Sequence, residues 1–117
     1  MHNFKKLKIW QEGISLVKDN YKLTRTFPDF ERFVLVSQMN RSAISIPSNI
    51  SEGSSKSTDK HFNKYLEDSL GSAFEWETQL IVAFNENYLS EEKFKELEQK
   101  IIHIQKMISR FQSGLNL

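Results

Sequence analysis

The chain predicts an all-α fold, an antiparallel up-down-up-down four-helix bundle, in one domain of 117 residues. Apolar residues recur every three or four positions almost throughout, as on a helix with one buried face, and alternating strand patterns are nearly absent. Proline, glycine and clusters of capping residues cut that pattern into four segments. The connections are short, which makes consecutive helices antiparallel neighbours.

Leu7, Trp10, Ile14, Val17, Tyr21 and Thr24 step by three and four and predict a first helix over about 7–25, with that stripe inward. Phe27-Pro28-Asp29 interrupts it, because the residue before proline disfavours the helical region. Asp29 can cap a new helix, so a second one is predicted over about 29–52 with Leu35, Met39, Ala43, Ile46 and Ile50 inward. Pro47 falls inside it. The apolar pattern resumes in phase at Ile50, so the helix should continue through the proline with a bend. Gly53 reads as its stop, since glycine tolerates a left-handed C-terminus.

The polar turn Ser54-Ser55-Lys56-Ser57-Thr58 leads to a third helix over about 58–86, with Phe62, Leu66, Ser69, Ala73, Leu80 and Phe84 buried. Asn85-Glu86-Asn87-Tyr88 ends it. Ser90 then serves as N-cap, Glu91 and Glu92 complement the helix dipole, and Leu89 with Phe94 fit a hydrophobic staple. Phe94, Leu97, Ile101, Ile104, Ile108, Phe111 and Leu115 keep a 3-4 alternation, the period of a coiled-coil-like seam.

Some apolar residues exceed one stripe per helix: Phe33 and Val36, then Phe74, Trp76, Ile81 and Val82, then Ile102 and Met107. A monomeric bundle needs one apolar face per helix, so the surplus predicts a second buried surface and a homo-oligomer.

Sixteen basic and fifteen acidic residues give a net charge of +1, too balanced to mark a nucleic-acid binder as a whole. Local stripes exist. Lys18, Lys22 and Arg25 share a face of the first helix, with Lys5, Lys6 and Lys8 nearby, and are the candidate phosphate contacts; Lys56, Lys60 and Lys64 form another stripe. The absence of cysteine excludes disulfides and thiolate metal sites. No apolar run approaches the roughly 20 residues of a membrane helix. Met1-His2-Asn3-Phe4-Lys5-Lys6 leads into no apolar signal segment, so a cytoplasmic protein without a membrane partner is expected.

The segment from Arg41 to Gly53 is the most distinctive. Arg41, Ser45, Asn49 and Glu52 fall at i, i+4, i+8 and i+11, one polar face beside the apolar one. Arg41 and Glu52 lie about 16 Å apart along a helix and cannot pair. Ser72 and Glu75 on the third helix are the expected partners of Arg41. The stripe serves packing and assembly, or else Arg41, Asn49 and Glu52 form a cleft for a small ligand or for an uncharacterised enzymatic activity.

Catalytic chemistry finds little support. A di-iron bundle needs Glu-x-x-His pairs, but Thr58 precedes His61 and Lys100 precedes His103 at that spacing. Glu75 and Glu77 diverge by about 200° around a helix. Gly53-Ser54-Ser55-Lys56 lacks the spacing of a phosphate loop. No catalytic residue, metal site or cofactor is therefore expected, and the protein reads as a non-enzymatic scaffold or interaction protein.

Four blocks occur in order: Phe4-Lys5-Lys6-Leu7-Lys8-Ile9-Trp10-Gln11, Thr26-Phe27-Pro28 with Glu31, the stretch from Gln38 to Gly53, and Gly71-Ser72-Ala73-Phe74-Glu75-Trp76-Glu77-Thr78. Together they resemble the 23S rRNA intervening-sequence family, also labelled S23 ribosomal proteins, over nearly the whole chain. The resemblance implies an antiparallel four-helix bundle that assembles as a ring-shaped homopentamer. The ribosomal label reflects genes lying inside rRNA intervening sequences. A related branch, the accessory proteins of diversity-generating retroelements, binds nucleic acid and a reverse transcriptase, and is markedly more basic than this chain. An RNA or an RNA-processing protein is thus the implied partner.

Overall fold

The computed structural model describes residues 2–117. Helix α1 spans Lys8–Thr24, α2 Leu35–Ser54, α3 Asp59–Asn85 and α4 Glu91–Ser113, with short 3-10 turns at Phe4–Lys6 and Asp29–Glu31. The described residues contain no strand. Contacts run in opposite senses along each helix pair. Asn20 meets Asn40 while Gly13 meets Pro47. Ser42 meets Gln79, and Gly53 faces Phe62 and Tyr65. Phe84 stacks on Phe94 as Phe62 meets Phe111. Lys100 reaches Ser15, and Arg110 borders a groove with Lys8. α1 packs on α2, α2 on α3, α3 on α4, and α4 back on α1. That is an up-down-up-down antiparallel bundle, 44 × 25 × 20 Å.

The inward stripes of α2 and α4 are those expected. Leu35, Met39, Ala43, Ile46 and Ile50 are buried, as are Leu97, Ile101, Ile104 and Ile108. Full burial of one such side chain contributes roughly 1.5–3 kcal/mol. α2 runs unbroken through Pro47, which is buried. Ser90 and Thr58 cap α4 and α3, their hydroxyls accepting from the N–H groups of Lys93 and His61 at 3.1 Å. α3 ends on Asn87, at φ 64°. The N–H of Asn87 returns to Phe84 and that of Tyr88 to Ala83, the paired bonds of a Schellman ending.

Four expectations need correction. The first concerns α1, whose core stripe is Ile9, Gly13, Leu16, Asn20 and Leu23. The anticipated stripe from Leu7 to Thr24 lies about 100° away around the helix; its residues are half-buried, apart from Ile14 at 43% exposure and Thr24, which is buried as expected. Gly13 and Asn20 occupy core positions because one admits Pro47 and the other binds polar partners. The second concerns α2, which begins at Leu35 and not near Asp29. Phe30 and Phe33 are 73% and 84% exposed, so no packing holds a helix there. Glu31 meets the first turn instead, accepting from the Leu35 N–H at 3.4 Å.

The third is Gly53, which is helical and has no positive φ. Its role is close approach: a Cβ there would lie 2.6 Å from Tyr65 Cβ and 2.8 Å from Phe62 Cδ1. The fourth is Trp76, expected among the surplus residues but fully buried in the core. It enters that core because its indole N–H finds an acceptor there.

Candidate binding surfaces

Four hydrogen-bonded groups tie the helices together. The Trp76 indole N–H donates to Asn20 Oδ1 at 3.0 Å, and Asn20 Nδ2 donates to Asn40 Oδ1 at 2.7 Å. Ser42 Oγ donates to Gln79 Oε1 at 2.6 Å, and Ser69 Oγ to the Ile46 carbonyl at 2.8 Å. Gln105 Nε2 donates to Glu77 Oε1 at 2.7 Å, joining α4 to α3. Among the described residues no buried side-chain polar atom lacks a partner. These groups are therefore structural, because the interior leaves no polar atom free for a ligand.

The polar stripe lies along the seam between α2 and α3. Arg41 and Ser45 border a cleft of about 470 Å³ together with Gln38, Ser72 and Glu75. Ser45 Oγ donates to the Arg41 carbonyl at 2.8 Å and Asn49 Nδ2 to the Ser45 carbonyl at 2.9 Å, so both turn back on their own helix. Asn49 and Glu52 are not in the cleft lining; Glu52 is exposed. Among the described residues, no ion pair within 4.0 Å involves Arg41 or Glu75. The cleft thus presents a guanidinium, a carboxylate, an amide and two hydroxyls.

Lys18, Lys22 and Arg25 are exposed, and the ion pairs among the described residues do not include them. Their neighbour Asp19 is engaged by Lys100, whose ammonium also donates to Ser15 at 2.6 Å. Lys22 borders a depression of about 280 Å³ with Asp19, Tyr88, Ser90 and Lys93. At that end of the bundle the Tyr88 hydroxyl donates to Glu31 Oε2 at 2.8 Å. This bond, followed by burial and the charges of Glu31 and Glu86, pushes the phenol up to about 12. Lys60 and Lys64 line a separate shallow depression with His61 and Thr58.

Two apolar surfaces remain, on opposite sides of the bundle. On the α1/α2 side, Trp10, Ile14, Val17 and Tyr21 flank the positions that touch α2. Ile44, 41% exposed, lies four residues from Asn40 and three from Pro47, both of which contact α1. On the α3/α4 side, Phe74, 52% exposed, and Ile102 border a depression of about 380 Å³ with Gln105, Lys106, Ser109 and Arg110. Ile81 lies one helical repeat beyond Phe74 on the same flank, and is also more than a third exposed. Among the described residues no three histidine, aspartate or glutamate side chains converge on a metal position. No helix among them is long and apolar enough to cross a membrane.

Comparison with curated proteins gives no match. Among solved structures, the chain is similar to a protein of unknown function from the S23 ribosomal protein family of Bacteroides thetaiotaomicron. The two share 20% identity and superpose with a TM-score of 0.83 over 91% of this chain and 96% of that one. At that identity the likeness concerns the fold. The sequence itself matches the family model described as 23S rRNA-intervening sequence protein over residues 5–110. That match takes in all four blocks noted in the sequence except the first residue of the opening one, and the chain belongs to this family.

Proposed function

We propose that this chain is a non-enzymatic interaction protein that works in the cytoplasm as a homo-oligomer, a ring of five, and associates with RNA or an RNA-processing partner. The observation that carries the oligomer is the exposure of large apolar side chains on two sides of the bundle, where a monomer gains nothing from them. The number five rests on the family resemblance. Light scattering should return about five times the 13.8 kDa chain mass; a single-chain mass at micromolar concentration would refute the oligomer.

The RNA association is supported by Lys18, Lys22 and Arg25, which would meet phosphate and read no bases. A ring repeats the stripe, so weak contacts add. Binding must then fall steeply with salt, since each neutralised phosphate releases counterions. An RNA titration at two salt concentrations, with all three residues changed to glutamate in parallel and light scattering on the same samples, tests this. Undiminished binding by the variant discards the stripe. No binding at low salt discards RNA and leaves a protein partner.

A second reading is favoured by one observation: Arg41 and Glu75 border the same cleft without pairing. That suits a small polar ligand carrying both charges. A co-purified molecule lost in Arg41→Ala at unchanged oligomer mass would establish it; the same mass with no such molecule would remove it.

A further inference from the structure

The net charge of +1 conceals an uneven distribution along the bundle. At the end that carries the starts of α1 and α3, residues 2–8, 52–64 and 108–117 hold seven lysine or arginine side chains against Glu52 and Asp59. At the opposite end, residues 22–38 and 81–95 hold five cations and five carboxylates. Two helices start and two stop at each end, so their dipoles cancel and the side chains set the sign. We propose that the basic end binds the phosphate backbone of RNA. This rests on the RNA reading above and names a contact surface different from the stripe of Lys18, Lys22 and Arg25, which runs toward the balanced end.

The surface has two halves joined by a strap. The His2 N–H donates to the Ser54 carbonyl at 3.1 Å, and its imidazole packs on Phe62 and Phe111 at 5.0 and 6.1 Å, so the segment before α1 lies over the end of the bundle. The turn at Phe4–Lys6 and the start of α1 then present Lys5, Lys6 and Lys8, all exposed. On α3, Lys60 and Lys64 stand one turn apart, both exposed, and border a depression of about 200 Å³ with Thr58 and His61. Lys56 lies over the Tyr65 ring at 5.1 Å, which sets its ammonium against the same helix.

Among the described residues, no ion pair within 4.0 Å involves a lysine or arginine of this end. At the other end Lys93 is paired with Glu96 and Lys95 with Glu91. Asp59 is held instead by His2 at 3.8 Å and accepts from the Asn116 N–H at 3.1 Å. Glu12, Glu67 and Asp68 lie about one turn further from the end. Phosphate would neutralise these cations, and release of its counterions drives association.

The chemistry of the surface separates RNA from other occupants. A membrane-surface site combines cations with exposed apolar side chains. Here Phe30, Phe33 and Val34 are exposed at the opposite end, and among the described residues Leu117 is the large exposed apolar side chain at the basic end. A protein interface is centred on aromatic and aliphatic anchors and is poor in lysine. Ammonium groups on flexible stems, with no apolar anchor between them, suit a phosphate backbone contacted without base reading.

A fluorescein-labelled oligouridylate, titrated with the full-length protein at two salt concentrations, tests this. Lys60→Glu with Lys64→Glu, and Lys5→Glu with Lys6→Glu, are compared with Lys22→Glu with Arg25→Glu, circular dichroism confirming the helix content of each. Glutamate suits the first turn of a helix, so Lys60→Glu leaves the start of α3 intact. Each basic-end pair should bind about tenfold more weakly at low salt, with a log–log salt slope shallower by about 1.4, the loss of two single-strand phosphate contacts. The Lys22 pair should lose less. If both basic-end pairs bind as tightly as the unaltered protein, the surface is overturned while the RNA reading stands. An equal loss in the Lys22 pair also overturns it, since binding would then follow net charge alone. No binding by the unaltered protein at either salt removes the RNA reading together with the surface. Capture by phosphatidylserine vesicles in preference to the oligonucleotide overturns it in favour of a membrane.

Discussion

Glycine shows at single-residue scale how closely the helices approach. A methyl group at Gly53 would press on the Cβ of Tyr65 and the ring of Phe62, neither of which is the free end of a flexible chain. Gly53→Ala should cost about 1–3 kcal/mol through overpacking. Gly71 has nothing within 4 Å of an added Cβ and sits in an exposed helical position. Gly71→Ala should therefore stabilise by about 0.4–1 kcal/mol, chiefly by restricting the unfolded chain. Urea unfolding of the two variants checks both; equal stabilities would contradict the close approach. Tyr88 gives a pH signature. Its folded value of about 12 lies above the ordinary 10.0, so the neutral phenol's contribution is complete below pH 10.0 and is lost as pH rises toward about 12. In a tyrosinate absorbance titration one of the three tyrosines should ionise last, and Tyr88→Phe should remove that component. A single shared midpoint would sink this.

At the scale of elements, legibility followed local chemistry. Ser90 stands before two glutamates and a 3-4 seam, so the start of α4 could be read from neighbours in sequence; Ser90→Ala should cost about 1 kcal/mol, seen as a lower unfolding midpoint. An unchanged midpoint would mean the hydroxyl bond to Lys93 contributes nothing. The start of α2 was not legible. Asp29 looks like a cap, yet this end is fixed by Glu31 bonded to Tyr88, 57 residues away. The core face of α1 was obscured similarly. Two stripes of comparable apolarity lie side by side on that helix, and the inward one carries a glycine and an asparagine whose partners, Pro47 and Trp76, belong to other helices. Asn20→Ala should leave the buried Trp76 N–H without its acceptor, at a cost of about 1–3 kcal/mol in unfolding free energy. A smaller loss would show that another acceptor takes its place.

For the whole molecule, the same misplaced stripe becomes informative. Trp10, Ile14, Val17 and Tyr21 have the spacing of a core face, and α1 already has a different one. Trp10 and Val17 pack on the edge of the core, whereas Ile14 is 43% exposed, and that residual apolar surface supports the proposed oligomer. The surplus on α3 and α4 makes the corresponding point, once Trp76 is withdrawn from it. The polar stripe was legible as a face, because helical spacing alone places Arg41 and Ser45 together; that Gln38 shares the cleft, while Asn49 and Glu52 fall outside it, depends on how α3 lies against α2. Counting chains in a native mass spectrum tests the proposed assembly most directly. One dominant species of five chains that persists on dilution through the micromolar range is expected; a single chain, or a two-chain species that grows no further, would contradict the proposed ring.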